Sequence, residues 1–386
     1  MVPVATLRKP AEDTAFETDL QVETVSSYQS FLELEPVWNR LVEAAGIDHP
    51  FLEHLWVRTW WECFGAGSKL NILVVKAGNQ PVAIAPLIWT PIRMWGITVR
   101  RLGFFYNAHV PRGGFVTGHN RKAYRAIWNH LARERNWDLL QLCQLPEGSD
   151  TLAEISGLAR RDGCPMGVWR SGESPYVPLD SSWNEYFANR PAKHRANLRN
   201  RLKRLQTLGP VELEAVTTES ALPDALDDGL RLEAATWKQD AGTAISCDPS
   251  VSTFYSLLAQ RAQRRGWVRL HFLKAQYRRI AFDYSLTYKN RLYLLKLGYD
   301  PTYAPYSPSN LLVQLALQAS FERGETVYDF LGDNLDWKSR WTSQARPHYW
   351  LYVFANTFKG HLLRETKFEW TPVLKRLAAR VGVTRK

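Results

Sequence analysis

The stretch Leu292-Tyr-Leu-Leu-Lys-Leu-Gly-Tyr-Asp300, then Pro301-Thr-Tyr-Ala-Pro-Tyr306, then Ser307-Pro-Ser-Asn-Leu-Leu312, decides the fold. Its first part is a short apolar run ending at Gly298, and residues 291–299 read as a strand. Ser307 suits a helix N-cap and Pro308 the first helical position, so a helix over 310–323 is expected, stopped at Gly324. A helix N-terminus reached from a strand offers unpaired N–H groups and the positive end of a dipole, which suits a pyrophosphate. Ser307, Ser309 and Asn310 add side-chain donors. Local physics is equally satisfied by an ordinary capped β–α unit.

Beyond that helix comes Tyr328-Asp-Phe-Leu-Gly-Asp333, followed by Trp337 and Lys338. A strand over 326–331 sends Asp329 and Phe330 to opposite faces. Gly332 permits a tight turn. Asp333 and Lys338 then fall at a strand end, where clefts of α/β sheets open. A carboxylate there can accept the proton of an amine nucleophile. A lysine can hold an anion or polarise a carbonyl. A surface salt bridge is the plainer alternative. Asp283, inside a strand over 280–288, either faces the cleft with a raised pKa or points to solvent. His194 is a further candidate base, although Lys193 and Arg195 beside it suggest a solvated basic face.

Working outward, 267–274 and 280–288 form a hairpin. Helices are expected over 181–208 (interrupted near Pro191), 222–237 and 250–266. The first half shows a similar order: helices at 30–45 and 53–64, a hairpin of 70–76 with 81–89, and a strand at 100–106. A helix at 120–135, a strand at 137–142, a helix at 152–161 and an extended run at 167–178 follow. The repeated order points to two related halves meeting near Leu179–Ser182. The expected units are a tail at 1–22, halves at 23–180 and 181–358, and a basic amphipathic segment at 359–386.

The 386 residues carry a net charge of +11, so an anionic partner is expected, and the 16 Trp favour an amphiphilic one over duplex DNA. Cys63, Cys143, Cys164 and Cys247 are too scattered for a C-x-x-C site, and no metal is expected. Residues 1–19 lack an apolar signal core, and 70–89 is broken by Lys76, Asn79, Gln80 and Pro81, so a cytoplasmic protein is expected. Arg195, Arg199, Arg201, Lys203 and Arg204 share a helix with Leu198, Leu202 and Leu205. In the C-terminal segment Trp370, Val373, Leu374 and Leu377 alternate with Lys375, Arg376 and Arg380. Both segments suit phosphates, and the second suits peripheral contact with an anionic membrane. No nucleic-acid motif accompanies them, so a nucleic-acid partner is not expected.

Three segments resemble the GNAT superfamily, in its bacterial CelD/BcsL-type (cellulose-biosynthesis-like) branch, related to Fem-type aminoacyl transferases. They are Lys193–Leu205 ahead of Gly209, Gly298–Asp300 through Tyr306–Leu312, and Tyr328–Phe330 through Trp337-Lys338. A weaker match lies at Pro50–Trp60 and Ile84–Leu87. The resemblance implies an α/β (α+β) fold of tandem GNAT-like halves, each a mixed, mostly antiparallel sheet flanked by helices. It implies acyl-CoA or acetyl-CoA as co-substrate, with the pantetheine arm between splayed strands and an amine attacking the thioester directly. Leu292–Leu297 would then be the splayed strand, and Ser307, Pro308, Ser309, Asn310 and Leu311 the cofactor-binding end. Asp283, Asp333 and Lys338 are the catalytic candidates. Trp56, Trp60, Tyr106, Tyr299, Tyr306 and Trp337 are the candidate pocket walls. The family loop has glycine where Ser309 stands, and the Q/R-x-x-G-x-G/A phosphate loop is absent. An N-acyltransferase for an amine, such as a sphingoid base or a cell-envelope precursor, is the expected function. A non-catalytic accessory of exopolysaccharide synthesis and a Fem-like aminoacyl transferase are the alternatives.

Overall fold

The computed structural model describes residues 20–216, 218–235, 242 and 244–371. Its strands are β1 (Leu20–Val25), β2 (Lys69–Leu70), β3 (Ile72–Ala77), β4 (Gln80–Ala85), β5 (Leu87–Met94), β6 (Ile97–Phe104) and β7 (Leu139–Pro146). They continue with β8 (Met166–Pro178), β9 (Val211–Val216), β10 (Val268–Ala275), β11 (Arg278–Tyr288), β12 (Arg291–Tyr299), β13 (Val327–Asp329) and β14 (Ala345–Phe354). A small sheet has the order β1-β3-β4. The large one runs β2-β5-β6-β7-β14-β8-β13-β12-β11-β10-β9. Every described pairing is antiparallel except β6 with β7 and β12 with β13. The fold is therefore mixed α/β, with mostly antiparallel sheets flanked by helices.

Several boundaries differ from the expected ones. The hairpin strand at 81–89 splits at Pro86, which has no N–H for a ladder, and the chain passes there from the small sheet into the large one. The helix at 30–45 breaks at Leu34 into Tyr28–Glu33 and Glu35–Ala44, with Pro36 in the first turn of the second piece. Leu20–Val25, inside and just past the expected tail, is a strand. The helix at 222–237 is described as Leu222–Ala234, and Trp237 lies outside the described residues. So do residues 1–19 and 372–386. Strands β9 and β14 were not expected.

β14 matters most for architecture. It belongs to the second half in sequence but lies between β7 and β8 in the sheet of the first. β8 pairs with β14 over Met166–Pro175 and with β13 over Tyr176–Pro178, so one strand serves both halves. The halves also share an apolar core. Trp56 meets Phe254 edge-on at 5.5 Å, and Phe51 meets Tyr293 at 5.4 Å.

The Pro308–Glu322 helix buries Leu311, Leu312, Val313, Ala316 and Leu317 against the second sheet. The Leu222–Ala234 helix lies on the other face, close enough that a Cβ at Gly298 would stand 2.6 Å from Glu233 N. That contact is the physical reason for glycine at this point of β12.

Candidate functional site

Each half has one parallel strand pair, and each pair is short. β12 pairs with β13 only over Arg291–Tyr293, although β12 continues to Tyr299 along β11. Residues 294–299 thus lack a neighbour on the β13 side, and the two strands splay. A bulge in the β11–β12 register leaves Leu295 without a cross-strand partner on β11 as well. In the first half β6 pairs with β7 over Arg101–Gly103. There the opening is filled by the chain itself. Gly113 N–H donates to Gln144 O at 3.0 Å, and a Cβ on Gly113 would lie 2.6 Å from Cys143 O and 2.7 Å from the Phe104 ring.

The open splay of the second half holds a cavity of about 460 Å³. Leu294–Leu297 and Tyr299 form one wall, Phe330, Trp337 and Lys338 another, and Ser309 and Asn310 close one end. Asn310 Oδ1 is buried there without a partner. A second cavity, of about 140 Å³, lies between the halves. It is lined by His109, Glu173, Tyr255, Asp333 and His348, and it shares Leu295 and Lys296 with the first.

The segment joining these cavities is held tightly. Leu331 and Gly332 both have positive φ, at 49° and 55°. A bulky residue in that region is strained and persists only where its surroundings fix it. Leu331 N–H donates to Asp329 Oδ1 at 2.9 Å. Lys338 Nζ donates to the carbonyls of Leu331 and Asp333, the latter at 2.8 Å. Asp329 is buried and ion-paired with Arg112, itself 2% exposed, and with Arg346 at 3.1 Å. Arg112 comes from the segment that fills the first-half opening. One half therefore braces the loop of the other.

Burial sets the protonation of this region. It lowers His348 to about 4, with Arg112 adding to the effect, and His109 to about 4, with Lys296 adding. Both histidines are thus neutral near pH 7. Burial also lowers Lys338 from 10.5 to about 8, against the pull of Asp333 and Asp329. Between about 8 and 10.5 the unfolded chain binds this proton and the folded protein does not, so Lys338 makes stability rise with pH in that window. Below about 8 both states are protonated and its contribution is level. The urea midpoints of the parent and Lys338→Met are therefore expected to differ by a constant below pH 8. They should diverge in the parent's favour above it, and parallel curves throughout would contradict this origin.

The expected site residues separate into three groups. Ser309, Asn310, Tyr299, Trp337 and Lys338 line the splay cavity, and Asp333 lines the cavity between halves. Tyr106 packs on Trp350 at 5.2 Å, close enough to Asp333 for that charge to help raise its hydroxyl to about 12, after burial and Cys143. Ser307, Pro308, Leu311 and Tyr306 line neither cavity. Ser307 caps by position only, without a side-chain bond, and Pro308 and Leu311 are buried in the helix packing. Tyr306 lies under the Arg204 guanidinium at 5.4 Å, which brings the basic helix (Ala192–Gln206) to this helix start.

Asp283, Trp56 and Trp60 lie elsewhere. Asp283 is fully buried, 3.0 Å from His271 Nδ1 and accepting from Ser285 Oγ at 2.9 Å, and it lines neither cavity. Alternation on β11 turns it under the Pro308–Glu322 helix, where His271 is its hydrogen-bond partner. Trp56 and Trp60 are core residues between the halves rather than pocket walls. His194 is buried with its ring edge against Trp341, at 4.7 Å, and burial lowers it to about 4. Sequence reasoning missed Arg112, His109, Glu173, Tyr255, Arg346 and His348. They are isolated polar residues in the first half, in a helix and in β14, with no shared motif to join them.

Residues 192–339 match the family model described as an acetyltransferase (GNAT) domain. No curated protein matches the sequence. Among solved structures, FemX superposes with a TM-score of 0.56 at 11% identity, covering 86% of this chain and 98% of that one. The C-terminal DUF2156 domain of an Agrobacterium fabrum protein named as a lysylphosphatidylglycerol synthetase gives 0.52 at 14% identity, covering 88% and 97%. The L-PGS of Bacillus licheniformis gives 0.50 at 14% identity, covering 91% and 96%. At such identities the likeness concerns the fold. The second half thus matches a GNAT domain model, within an architecture similar to these proteins. Among the described residues no helix is long and apolar enough to cross a membrane, and no group of His, Cys, Asp or Glu is placed to hold a metal.

Proposed function

We propose that this protein is an N-acyltransferase that moves an acyl group from acyl-CoA to an amine, using the second-half splay for the thioester and the cavity between halves for the acceptor. The observation that carries this reading is that the two cavities share Leu295 and Lys296 in their walls, with a helix N-terminus lining the first and Asp333 the second. The residues suit coenzyme A. Leu294, Leu297 and Phe330 offer an apolar wall to the pantetheine arm, and the partnerless Asn310 Oδ1 suits one of its amide N–H groups. Ser309, the helix N-terminus and Arg204 by Tyr306 suit its phosphates.

In the reaction the amine nitrogen bonds to the thioester carbonyl carbon, the C–S bond breaks, and the thiolate leaves to take up a proton. The amine proton goes to the Asp333 carboxylate. Asp333 is favoured over Glu173 because both Glu173 oxygens are engaged, by Arg170 and by Asn334. Lys338 is a positioning residue: its bonds to the carbonyls of Leu331 and Asp333 fix the loop that presents Asp333.

The acceptor we favour is an amphiphilic amine such as a sphingoid base, in keeping with the resemblance of the sequence to the CelD/BcsL-type branch. Tyr106, Trp350 and Trp169 continue one another from beside Asp333 at ring separations of 5.2 Å and 5.9 Å, a surface suited to an apolar chain. The lipid product in the name of the Agrobacterium relative is in line with this choice.

Calorimetric titration with acetyl-CoA and palmitoyl-CoA tests the donor. Saturable binding is expected, weakened about tenfold in Ser309→Asp, which puts a like charge at the helix N-terminus. No heat from either thioester at high protein concentration would remove this reading.

A further inference from the structure

The helix Ala192–Gln206 carries six cations, Lys193, Arg195, Arg199, Arg201, Lys203 and Arg204, and no acid. Among the described residues none of the six has a carboxylate partner. Arg279 on β11, by contrast, is held between Glu214 and Asp228. Leu198 and Leu205 anchor the helix in the same core as Leu311 and Leu312 of the Pro308–Glu322 helix, and Lys193, Arg199, Lys203 and Arg204 are exposed. Exposed Arg340 joins the group: after burial, Arg340, Arg201 and Arg190 are the charges that lower His194. The helix is fixed beside the splay cavity near each of its ends. His194 meets Trp341, whose N–H donates to the carbonyl of the cavity residue Lys338 at 2.9 Å. Arg204 lies over Tyr306, just ahead of Ser309. The basic helix therefore flanks the end of the cavity that Ser309 and Asn310 close.

We propose that this helix docks a small acidic carrier protein that delivers the acyl group on a phosphopantetheine thioester. The proposal rests on the acyl-transfer reading and names the donor class of the same site. Three observations select this occupant. Unpaired cations along 15 helical residues, about 22 Å, match the acidic face of a compact protein, and such complementarity speeds encounter. The start of the Pro308–Glu322 helix is short of donors. Pro308 has no N–H, and the N–H groups of Asn310 and Leu311 both donate to Ser307 O, at 3.0 Å and 3.3 Å. Ser309 N–H is what the first turn leaves for an anion. That suits the single phosphodiester of a carrier-borne arm better than the pyrophosphate and nucleotide of coenzyme A. Finally, the helix holds no Phe, Trp or Tyr on which a base could stack. Leu208 and Tyr277, 37% and 79% exposed, stand past its C-terminal end, where Gln276 Nε2 donates to Leu208 O at 2.7 Å, and they give a protein partner an apolar contact. In the transfer the amine nitrogen bonds to the acyl carbon, the C–S bond to the carrier's arm breaks, and the amine proton goes to Asp333. The thiolate takes up a proton, and the carrier leaves as the free thiol.

Biolayer interferometry of the full chain with a bacterial acyl carrier protein, in apo and palmitoylated forms, tests it. The palmitoylated carrier is expected to bind more tightly than the apo form, which lacks the arm, and to bind less as NaCl is raised. Arg199→Glu/Lys203→Glu is expected to weaken its binding about tenfold or more. The same variant should keep palmitoyl-CoA affinity, read by calorimetry, within about twofold of the parent and should not lower the thermal transition, because both side chains are exposed. Equal binding of the apo and palmitoylated carriers, or undiminished binding by the variant, would overturn the proposal. So would tRNA or phosphatidylglycerol vesicles that bind the parent more tightly than the carrier does and lose that binding in the variant, since the helix would then serve RNA or lipid. Binding of palmitoyl-CoA without binding of the carrier removes the carrier and keeps the acyl-transfer reading. Binding of neither thioester removes both.

Discussion

Asp329→Ala is expected to destabilise the protein by about 3–5 kcal/mol, measured by urea unfolding at neutral pH. The carboxylate is 1% exposed and is the ion-pair partner of Arg112, which is 2% exposed. Removing it leaves a guanidinium buried between the Phe51 and Tyr293 rings, at 6.0 Å and 5.6 Å, with no acid in contact. Arg346 is part-exposed and can turn to solvent, so its share of the loss is small. The loss comes from an unpaired buried charge, not from the worth of the pair, so a balanced replacement should recover most of it. Arg112→Met/Asp329→Leu is the comparison. If the double variant is as unstable as Asp329→Ala, the unpaired-charge account is wrong. The single variant should also loosen Leu331, whose N–H would lose its acceptor.

Asp333→Asn is expected to lower kcat by about 10²–10⁴-fold, the usual contribution of a positioned general base, with acyl-CoA affinity nearly unchanged. The amide keeps the shape of the side chain and cannot take the amine proton. Its place in the lining of the inter-half cavity, and not in that of the splay cavity walled by Leu294 and Phe330, separates its role from donor binding. Raising pH should rescue part of the rate where the acceptor amine loses its proton unaided. Asp283→Asn gives the contrast. Its partner His271 is wholly buried, so that variant should lose stability and keep its turnover per folded molecule. A rate for Asp333→Asn within twofold of the parent would place the base elsewhere, with His348 and Glu173 the next groups to replace.

The sequence was most informative where one element could be read from its own residues. β12 was expected at Arg291–Tyr299 and lies there, because an apolar run closed by Gly298 and Asp300 can be read from its ends. The start of the Pro308–Glu322 helix followed from Ser307 and Pro308 in the same way. The cavity residues Ser309, Asn310, Trp337, Lys338 and Asp333 were within reach because they flank that strand and helix within 50 residues. Asp283 shows the limit. Its place on a strand was legible, but the face it occupies depends on a helix packed above it and on His271 across the ladder. Trp56 and Trp60 failed for a similar reason: a helix with an aromatic stripe lines a pocket or fills a core depending on what meets it, and here Phe254 and Phe105 do.

By itself, then, the sequence determined the strand–turn–helix of the second half, the strand beyond it and the basic excess, since each rests on local periodicity, capping or composition. Tertiary structure decided that the first-half opening is filled around Gly113 while the second stays open. It also decided that Arg112 crosses to Asp329, and that β14 returns to the first-half sheet with His348 and Trp350. The Arg112 crossing and the return of β14 rest on contacts between residues far apart in the chain, 217 positions for Arg112 and Asp329. No local pattern encodes such contacts, because the free energy that selects them comes from joint burial of charge and apolar surface once both halves are in place.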